Sequence, residues 1–486
     1  MHIPQSNCLR EHVNNTDLVR DRWMLGGRWV EAHGGEVIAV ENPATGAVIG
    51  YTPRCGSMEA EAAIEAALVA LPLWRSETAE RRAVILGRWQ GLIRDSADDL
   101  ARIITLEQGK PLAEAHEEVL SAASYFDWFA EEARRPKLKH TASPGLTFVR
   151  QRAIGVIAAI TPWNFPSAMI ARKAAPALAA GCTMVLKASE YTPFSAFALG
   201  ALAERAGLPP GVLNILTGDA DDIGQVFTGN PAVAKLSFTG SIRTGQLLLQ
   251  QCAASLKPSV MELGGNAPFI VFADAHFDAA VDALIARKFR NGGQTCVSAN
   301  RVFVHSSIYD LFAFQVIAKA NSLSVGNGLD PEVKIGPTIS RSAADRLQEL
   351  VADAVDHGAK ILAGGSRRAA CFFDPTVLGN VKPSMRIATE EVFGPIALLL
   401  PFETESEVVS LANDTCSGLA GYAFTSSLQR AFRLSDDLDF GMIGINAHSL
   451  SSPAAPFGGM KASGLGREGG RCGLEEFLST KTIAIE

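Results

Sequence analysis

No stretch of this sequence is apolar for anything near the roughly 20 residues that cross a bilayer. The first residues, MHIPQSNCLREHVNNTD, lack the apolar core of a secretory signal, so the cytoplasm is the expected compartment. No block of Lys and Arg occurs and the net charge is −7, which argues against nucleic acid and anionic membrane as partners. There is no Cys-x-x-Cys and no Cys/His cluster. Cys8, Cys55, Cys182, Cys252, Cys296, Cys371, Cys416 and Cys472 are scattered, and the nine histidines equally so. A structural zinc site or a disulfide framework is therefore not expected. Internal repeats and low-complexity segments are also missing.

What is present is the composition of a globular protein, in a chain of 486 residues that is too long for one ordinary core, so two or three domains are expected. Alanine-rich patterns of helical period run over Met58–Trp74 and Ala79–Gln108, after a β-like stretch near Trp23–Trp29. From Gly155 the rhythm changes to short β-branched runs alternating with amphipathic helices. VIAAI precedes a helix over Ala168–Ala180, TMVLK one over Ser195–Ala206, VLNIL one over Ile223–Phe227, and KLSF one over Arg243–Ala254, with SVMEL closing the series. Such alternation predicts a parallel sheet covered by helices. A second α/β section begins with APFIVF and extends to about Gly459, with strands predicted at Arg301–His305, Lys360–Leu362, Ile396–Leu400 and Gly441–Ile445. Lys137–Arg152 and Lys481–Ile485 fit neither half; they read either as exposed strands that pair with another subunit or as a loop and a frayed tail.

Ligands of open α/β sheets bind beyond the carboxyl ends of the strands, so the residues there are the candidates. The first strand runs into Thr161-Pro162-Trp163-Asn164-Phe165-Pro166, a rigid turn holding an amide. The second ends in Lys187, then Ala188-Ser189-Glu190. The fourth leads into Phe238-Thr239-Gly240-Ser241, and the fifth ends in Glu262-Leu263-Gly264-Gly265. Gly240–Gly245 is not Gly-x-Gly-x-x-Gly, so the usual dinucleotide fingerprint is missing there, although a glycine turn opening a helix still offers N–H groups to a pyrophosphate. Glu190 stands where a carboxylate could accept from ribose hydroxyls, or is simply a solvated loop acid. In FRNGGQTCVSANR, glycines and small polar residues flank Cys296, which suits a tight turn presenting the thiol to a cavity. Most cysteines are core fillers rather than nucleophiles, and this segment alone does not decide between the two.

Taken in order, PWNFP, FTGS, MELGG, GQTC, EEVFGP and PFGGMKASGLGREG resemble the aldehyde dehydrogenase superfamily over nearly the whole chain, from about Trp23 to Glu486. ARKAAPALAAGCTMVLK and ARKFRNGGQTC resemble most its succinate-semialdehyde dehydrogenase group. The resemblance implies a Rossmann-like dinucleotide-binding domain (1–136 and 153–263), an α/β catalytic domain (264–462) and a small β oligomerisation element (137–152 and 470–486) in a homodimer or homotetramer. It implies Cys296 as nucleophile, Asn164 and the Cys296 N–H as oxyanion donors, and Glu262 as the base that activates water, with Lys173 and Glu468 in support. For NAD, with NADP also possible, it implies contacts from Thr161, Pro162, Trp163, Lys187, Ser189, Glu190, Gly224, Gly240, Ser241, Leu263, Glu391 and Phe393. Arg172, Arg290 and a serine at Ser451-Ser452 take the places that grip the distal carboxylate of a semialdehyde.

Three departures stand out. Ala188 replaces the proline common after the ribose-loop lysine, and Ser298 excludes the two-cysteine redox switch of some succinate-semialdehyde enzymes. Asn446-Ala447-His448-Ser449 differs from the Asn-Glu-Gly usual near the substrate mouth. The expected reaction is oxidation of an aldehyde to an acid, most readily succinic semialdehyde. Glutaric semialdehyde, a phosphono-aldehyde or a broad aldehyde range are the alternatives. A CoA-acylating relative is disfavoured by Glu262, and a non-enzymatic one by the joint presence of Asn164, Glu262 and Cys296.

Overall fold

Short runs of Val, Ile and Leu leave both faces of a strand apolar, and such strands are stable only in a sheet covered on both sides. In the computed structural model, which describes residues 7–135, 139–140, 146–447 and 449–485, two sheets of this kind carry the chain. The centre of the first runs Leu213–Leu216, Thr183–Lys187, Val156–Ile160, Val233–Thr239, Ser259–Glu262, all parallel. An antiparallel hairpin, Trp23–Leu25 with Arg28–Val30, closes one edge and Gly464–Leu465 the other. After Val156–Ile160 the next two strands are added on one side and the following two on the other. The order therefore reverses between Val156–Ile160 and Val233–Thr239, and a crevice opens beyond their carboxyl ends.

The helix Pro166–Ala180 crosses this sheet and is buried at every residue. It has no solvent face because the helix Leu112–Arg134 packs on its outer side, and that explains its near-continuous small and apolar composition. Pro166 starts it and Gly181, at φ 94°, ends it.

The second sheet runs Lys360–Ala363, Thr376–Gly379, Ile396–Phe402, Ala299–His305, Ala267–Val271, Ala420–Phe424, Met442–Ile445, parallel except for its first pair. Alternation along Ala267–Val271 and the residue after it divides two cores: Phe269 and Val271 enter one, Ile270 and Phe272 the other.

The predicted α/β class, the β-like stretch near Trp23–Trp29 and all ten β runs predicted from Gly155 onward stand in the structure, with ends shifted by a few residues. The single helix expected over Ala79–Gln108 is two, Ala79–Asp95 and Ala97–Gln108. They break at Ser96 (φ −102°, ψ 14°), a residue type that readily leaves helical geometry. The helix Leu112–Arg134, the hairpin Val37–Glu41/Val48–Pro53 and the strands Thr376–Gly379 and Ala420–Phe424 were not expected. The two unassigned segments are strands, and they pair with each other: Leu478–Ile485 lies antiparallel to Leu146–Ala153 over eight residue pairs, and Lys139–His140 adds a third strand. Residues 136–138 and 141–145 of that region, His448 and Glu486 lie outside the described residues. Among the described residues no helix is long and apolar enough to cross a membrane.

Candidate active site

Cys296 follows a turn that only particular residues can make. The helix Phe277–Phe289 ends, and Asn291, Gly292 and Gly293 take φ of 52°, 58° and 73°. Asparagine and glycine tolerate this left-handed region. A Cβ on Gly293 would stand 2.0 Å from the carbonyl oxygen of Gly394, so glycine is required there on space as well. On the opposite side, a Cβ on Gly265 would stand 2.4 Å from the carbonyl oxygen of Cys296. The loop ending the strand Ser259–Glu262 thus lies directly on the cysteine backbone.

Two cavities meet at this thiol. One, of about 240 Å³, lies at the crevice of the first sheet and is lined by Asn164, Gly240, Ser241, Glu262, Glu391 and Phe393 among others. The second, of about 140 Å³, is lined by Arg172, Arg290, Ser451 and Thr295 and shares Cys296, Met169 and Phe457 with the first. Cys296 lines both cavities, and the protein atoms around it desolvate the sulfur. Burial, with Glu391 adding and Arg172 opposing, pushes the Cys296 thiol up to about 12.

Asn164 is held from several sides. Its side-chain amide donates to the carbonyl oxygen of Gln294 at 3.1 Å. Its own carbonyl oxygen accepts from Lys110 Nζ at 2.8 Å and from Asn291 Nδ2 at 3.0 Å. Lys110 is fully buried against Glu118 at 2.5 Å, and Glu118 accepts the free N–H groups of Ser167 and Ala168 at the start of the helix Pro166–Ala180. Gln108 donates to Asn291 Oδ1 at 3.0 Å.

Glu262 is buried, and neither carboxylate oxygen has a hydrogen-bond partner. Burial first, then repulsion from Glu468, holds its carboxyl well above the usual range, against the attraction of Lys173 and Arg172. Lys173 Nζ pairs with Glu468 Oε1 at 2.6 Å. Arg172 donates to Ser451 Oγ at 2.7 Å, stands 4.0 Å from Glu468 Oε2 and lies over the Phe457 ring at 4.1 Å. Its Nε and Nη1 are buried without hydrogen-bond partners. Arg290 lies over the Phe165 ring at 5.2 Å. Ser452 caps the turn at Ala454 and does not line the second cavity.

Pro162, Trp163 and Leu263 also line the first cavity, and the Trp163 and Phe393 rings meet edge-on at 5.6 Å. Ser241 caps the helix Ile242–Ala253 by accepting from the Thr244 N–H. Glu391 accepts from Gly265 N–H at 3.0 Å, and burial pushes its carboxyl up to about 7. Lys187 pairs with Glu190 at 2.7 Å at the end of its strand. Thr161, Ser189 and Gly224 are buried and do not line the cavity; Ser189 accepts from Tyr191 N–H at 3.3 Å. The sequence reading missed Lys110, Glu118 and Asn291, whose link to Asn164 is purely tertiary. It also missed Arg287, which lines the second cavity and whose one sequence signal is its place three residues before Arg290.

A doubly wound sheet with its crevice at the strand-order reversal, and a cysteine between that crevice and an arginine-lined cavity, define a two-sheet α/β enzyme fold of the dinucleotide-binding kind. Residues 29–483 match the aldehyde dehydrogenase family, and the chain belongs to that family. It is 50% identical over 479 residues to the succinate-semialdehyde dehydrogenase [NADP(+)] GabD of Escherichia coli (strain K12), covering 97% of this chain and 99% of that one. It is also 50% identical over 477 residues to a glutarate-semialdehyde dehydrogenase of Pseudomonas putida, with the same coverage. The crystal structure of a succinate-semialdehyde dehydrogenase from Burkholderia pseudomallei superposes with a TM-score of 0.96 at 49% identity, covering 97% of this chain and 99% of that one.

Proposed function

We propose that this chain oxidises a short acidic aldehyde to its acid with NAD or NADP, succinic semialdehyde to succinate being the preferred case and glutaric semialdehyde the nearest alternative. One observation carries this reading: the Cys296 thiol sits where a crevice of dinucleotide type meets a cavity lined by Arg172, Arg290 and Ser451. The unpartnered Glu262 carboxylate at the crevice, and Ser241 at the start of a twelve-residue helix, fit a bound dinucleotide and a reacting centre beside it.

Cys296 Sγ, once deprotonated, adds to the aldehyde carbon. The Asn164 amide and the Cys296 N–H stabilise the oxygen anion that forms. The cofactor, when bound, supplies the hydride acceptor. A thioester then remains on Cys296, and Glu262 takes a proton from the water that attacks it, releasing the acid and the thiol. A carboxylate with no competing hydrogen bond and a raised pKa, and hence a raised proton affinity, suits that task. Lys173 offsets its charge and is itself held in place by Glu468, and Arg172 with Arg290 holds the distal carboxylate. Residues 1–136 and 153–263 form the cofactor unit and 264–462 the catalytic unit. Residues 137–152 and 470–486 form the contacts of a cytoplasmic homodimer or homotetramer.

Cofactor reduction by purified protein with succinic semialdehyde, with and without CoA, tests the reading. Turnover independent of CoA is expected. An absolute need for CoA, or no turnover of any acidic aldehyde, overturns it.

A further inference from the structure

Two arginines and a serine already account for a carboxylate in the second cavity, yet a third guanidinium lines it. Arg287 stands in the last turn of the helix Phe277–Phe289, one turn before Arg290, and borders the same 140 Å³ as Arg172, Arg290, Ser451 and Cys296. Its Nε is buried without a hydrogen-bond partner, and it makes no ion pair among the described residues. The groups that face it are the Tyr422 hydroxyl, which accepts one hydrogen bond from it, the like-charged Arg290 and the exposed Glu117 of the helix Leu112–Arg134. Burial and Arg290 both disfavour its charge, as the lowered pKa records. A cation held there, beside another cation and with one neutral hydroxyl as its acceptor, is costly unless an anion in the cavity accepts from it.

A carboxylate has two oxygens and one charge. One bidentate arginine or two single donors saturate it, and Arg172, Arg290 and the Ser451 hydroxyl suffice. A phosphonate has three oxygens and between one and two charges near neutral pH, neighbouring guanidinium groups favouring the second, and so adds what a third guanidinium needs.

We propose that Arg287 is a specificity-determining residue that lets this site accept a short aldehyde with a doubly charged distal group, a phosphonate being the compact form. The assignment rests on the acidic-aldehyde reading above and extends its substrate range. The small cavity limits the spacer to a few atoms.

The test compares kcat/KM for a short phosphono-aldehyde, the sulfonate of the same shape with one charge, succinic semialdehyde and butanal, in the wild-type enzyme, Arg287→Ser and Arg287→Lys. Wild type is expected to use the phosphono-aldehyde within about tenfold of succinic semialdehyde. Arg287→Ser should lower the phosphono-aldehyde value by about tenfold or more, and succinic semialdehyde less than about threefold, with butanal unchanged. Arg287→Lys should restore part of the loss. The proposal is overturned if Arg287→Ser leaves the ratio of phosphono-aldehyde to succinic semialdehyde unchanged, or if the sulfonate loses as much as the phosphonate. Wild type that handles butanal as well as succinic semialdehyde overturns the underlying reading instead, because then no distal anion is read at all.

Discussion

Lys110 Nζ donates to the main-chain oxygen of Asn164 at 2.8 Å while its charge is paired with Glu118 inside the protein. The cation therefore fixes the peptide of the residue whose side chain we propose to face the reacting oxygen. Removing Lys110 alone leaves Glu118 buried and unpaired, which costs roughly 3–5 kcal/mol and obscures any effect on rate. The double variant Lys110→Met/Glu118→Gln removes both charges. It is expected to stay folded and bind NAD as wild type does. Its kcat should fall about 10- to 100-fold with little change in KM, because a slightly misplaced donor weakens transition-state binding rather than substrate binding. Unchanged kcat in a folded double variant removes Lys110 from the positioning of Asn164.

The Glu262 carboxylate has no hydrogen bond to break before it can take a proton from water. Glu262→Gln should therefore leave acylation intact and stop hydrolysis. A burst of reduced cofactor of about one equivalent, followed by slow turnover, is expected in rapid mixing. Undiminished steady-state turnover excludes Glu262 as the deacylation base.

The residues of these two predictions differ in how far the sequence revealed them. Asn164, Glu262 and Cys296 each end a strand or sit in a turn, where proline, glycine and small polar residues announce the geometry locally. Lys110 reaches Asn164 across 54 residues of chain and Asn291 meets Gln108 across 183, so no local pattern reports either contact. The helix Leu112–Arg134 escaped notice because Glu118 and Glu132 interrupt its apolar face, and both are buried: Glu118 is paired with Lys110, Glu132 with Arg135. Most β runs of both sheets were legible because strands buried on both faces need continuous β-branched and aliphatic runs, whereas Thr376–Gly379 and Ala420–Phe424, short and interrupted by glycine or alanine, were not. The helix boundary at Ser96 was not, since Ser is compatible with both a helix interior and a cap.

Burial sets the pH dependence of the proposed nucleophile. Raising a thiol pKa depletes the thiolate, so at neutral pH Cys296 of the free enzyme is protonated. Inactivation by iodoacetamide, followed by loss of activity, should accelerate about tenfold per pH unit from about pH 7 to about pH 10 without a plateau. Adding NAD⁺, whose nicotinamide ring is cationic, should raise the rate at fixed pH. A plateau near pH 8 in the free enzyme contradicts the buried, unassisted thiol.

Glu190 is paired with Lys187 at 2.7 Å at the strand end where a ribose would lie. A carboxylate there accepts from ribose hydroxyls and repels a 2′-phosphate. At about 4 Å that repulsion is about 1 kcal/mol in water and about 4 kcal/mol at a partly buried surface. Lys187 offsets part of it. We expect kcat/KM for NAD to exceed that for NADP by about tenfold, and Glu190→Ser to narrow the gap by raising the NADP value. A clear NADP preference in the unmodified enzyme, matching the NADP(+) in the name of the E. coli relative, rules this out.

Arg172 and Arg290 approach the second cavity from different elements, one from the middle of the buried helix Pro166–Ala180 and one from the turn before Cys296. Arg172 already donates to Ser451, and its Nε and Nη1 remain free to meet a carboxylate. A planar guanidinium holds a carboxylate by parallel charge-assisted hydrogen bonds, and a neutral aldehyde of the same length gains nothing from it. Arg290→Ala should raise KM for succinic semialdehyde by about tenfold or more, an interaction of roughly 1.5–3 kcal/mol, and leave KM for butanal nearly unchanged. Arg172→Ala should do the same, with some loss of stability because the side chain is packed against Phe457 and Tyr125. Arg172→Lys separates the two effects, since it keeps the charge and much of the packing but loses the fork. If it restores the melting temperature but not KM, the guanidinium reads the carboxylate. Equal losses on succinic semialdehyde and butanal in a stably folded Arg290→Ala enzyme mean that the arginine serves the architecture and not the substrate.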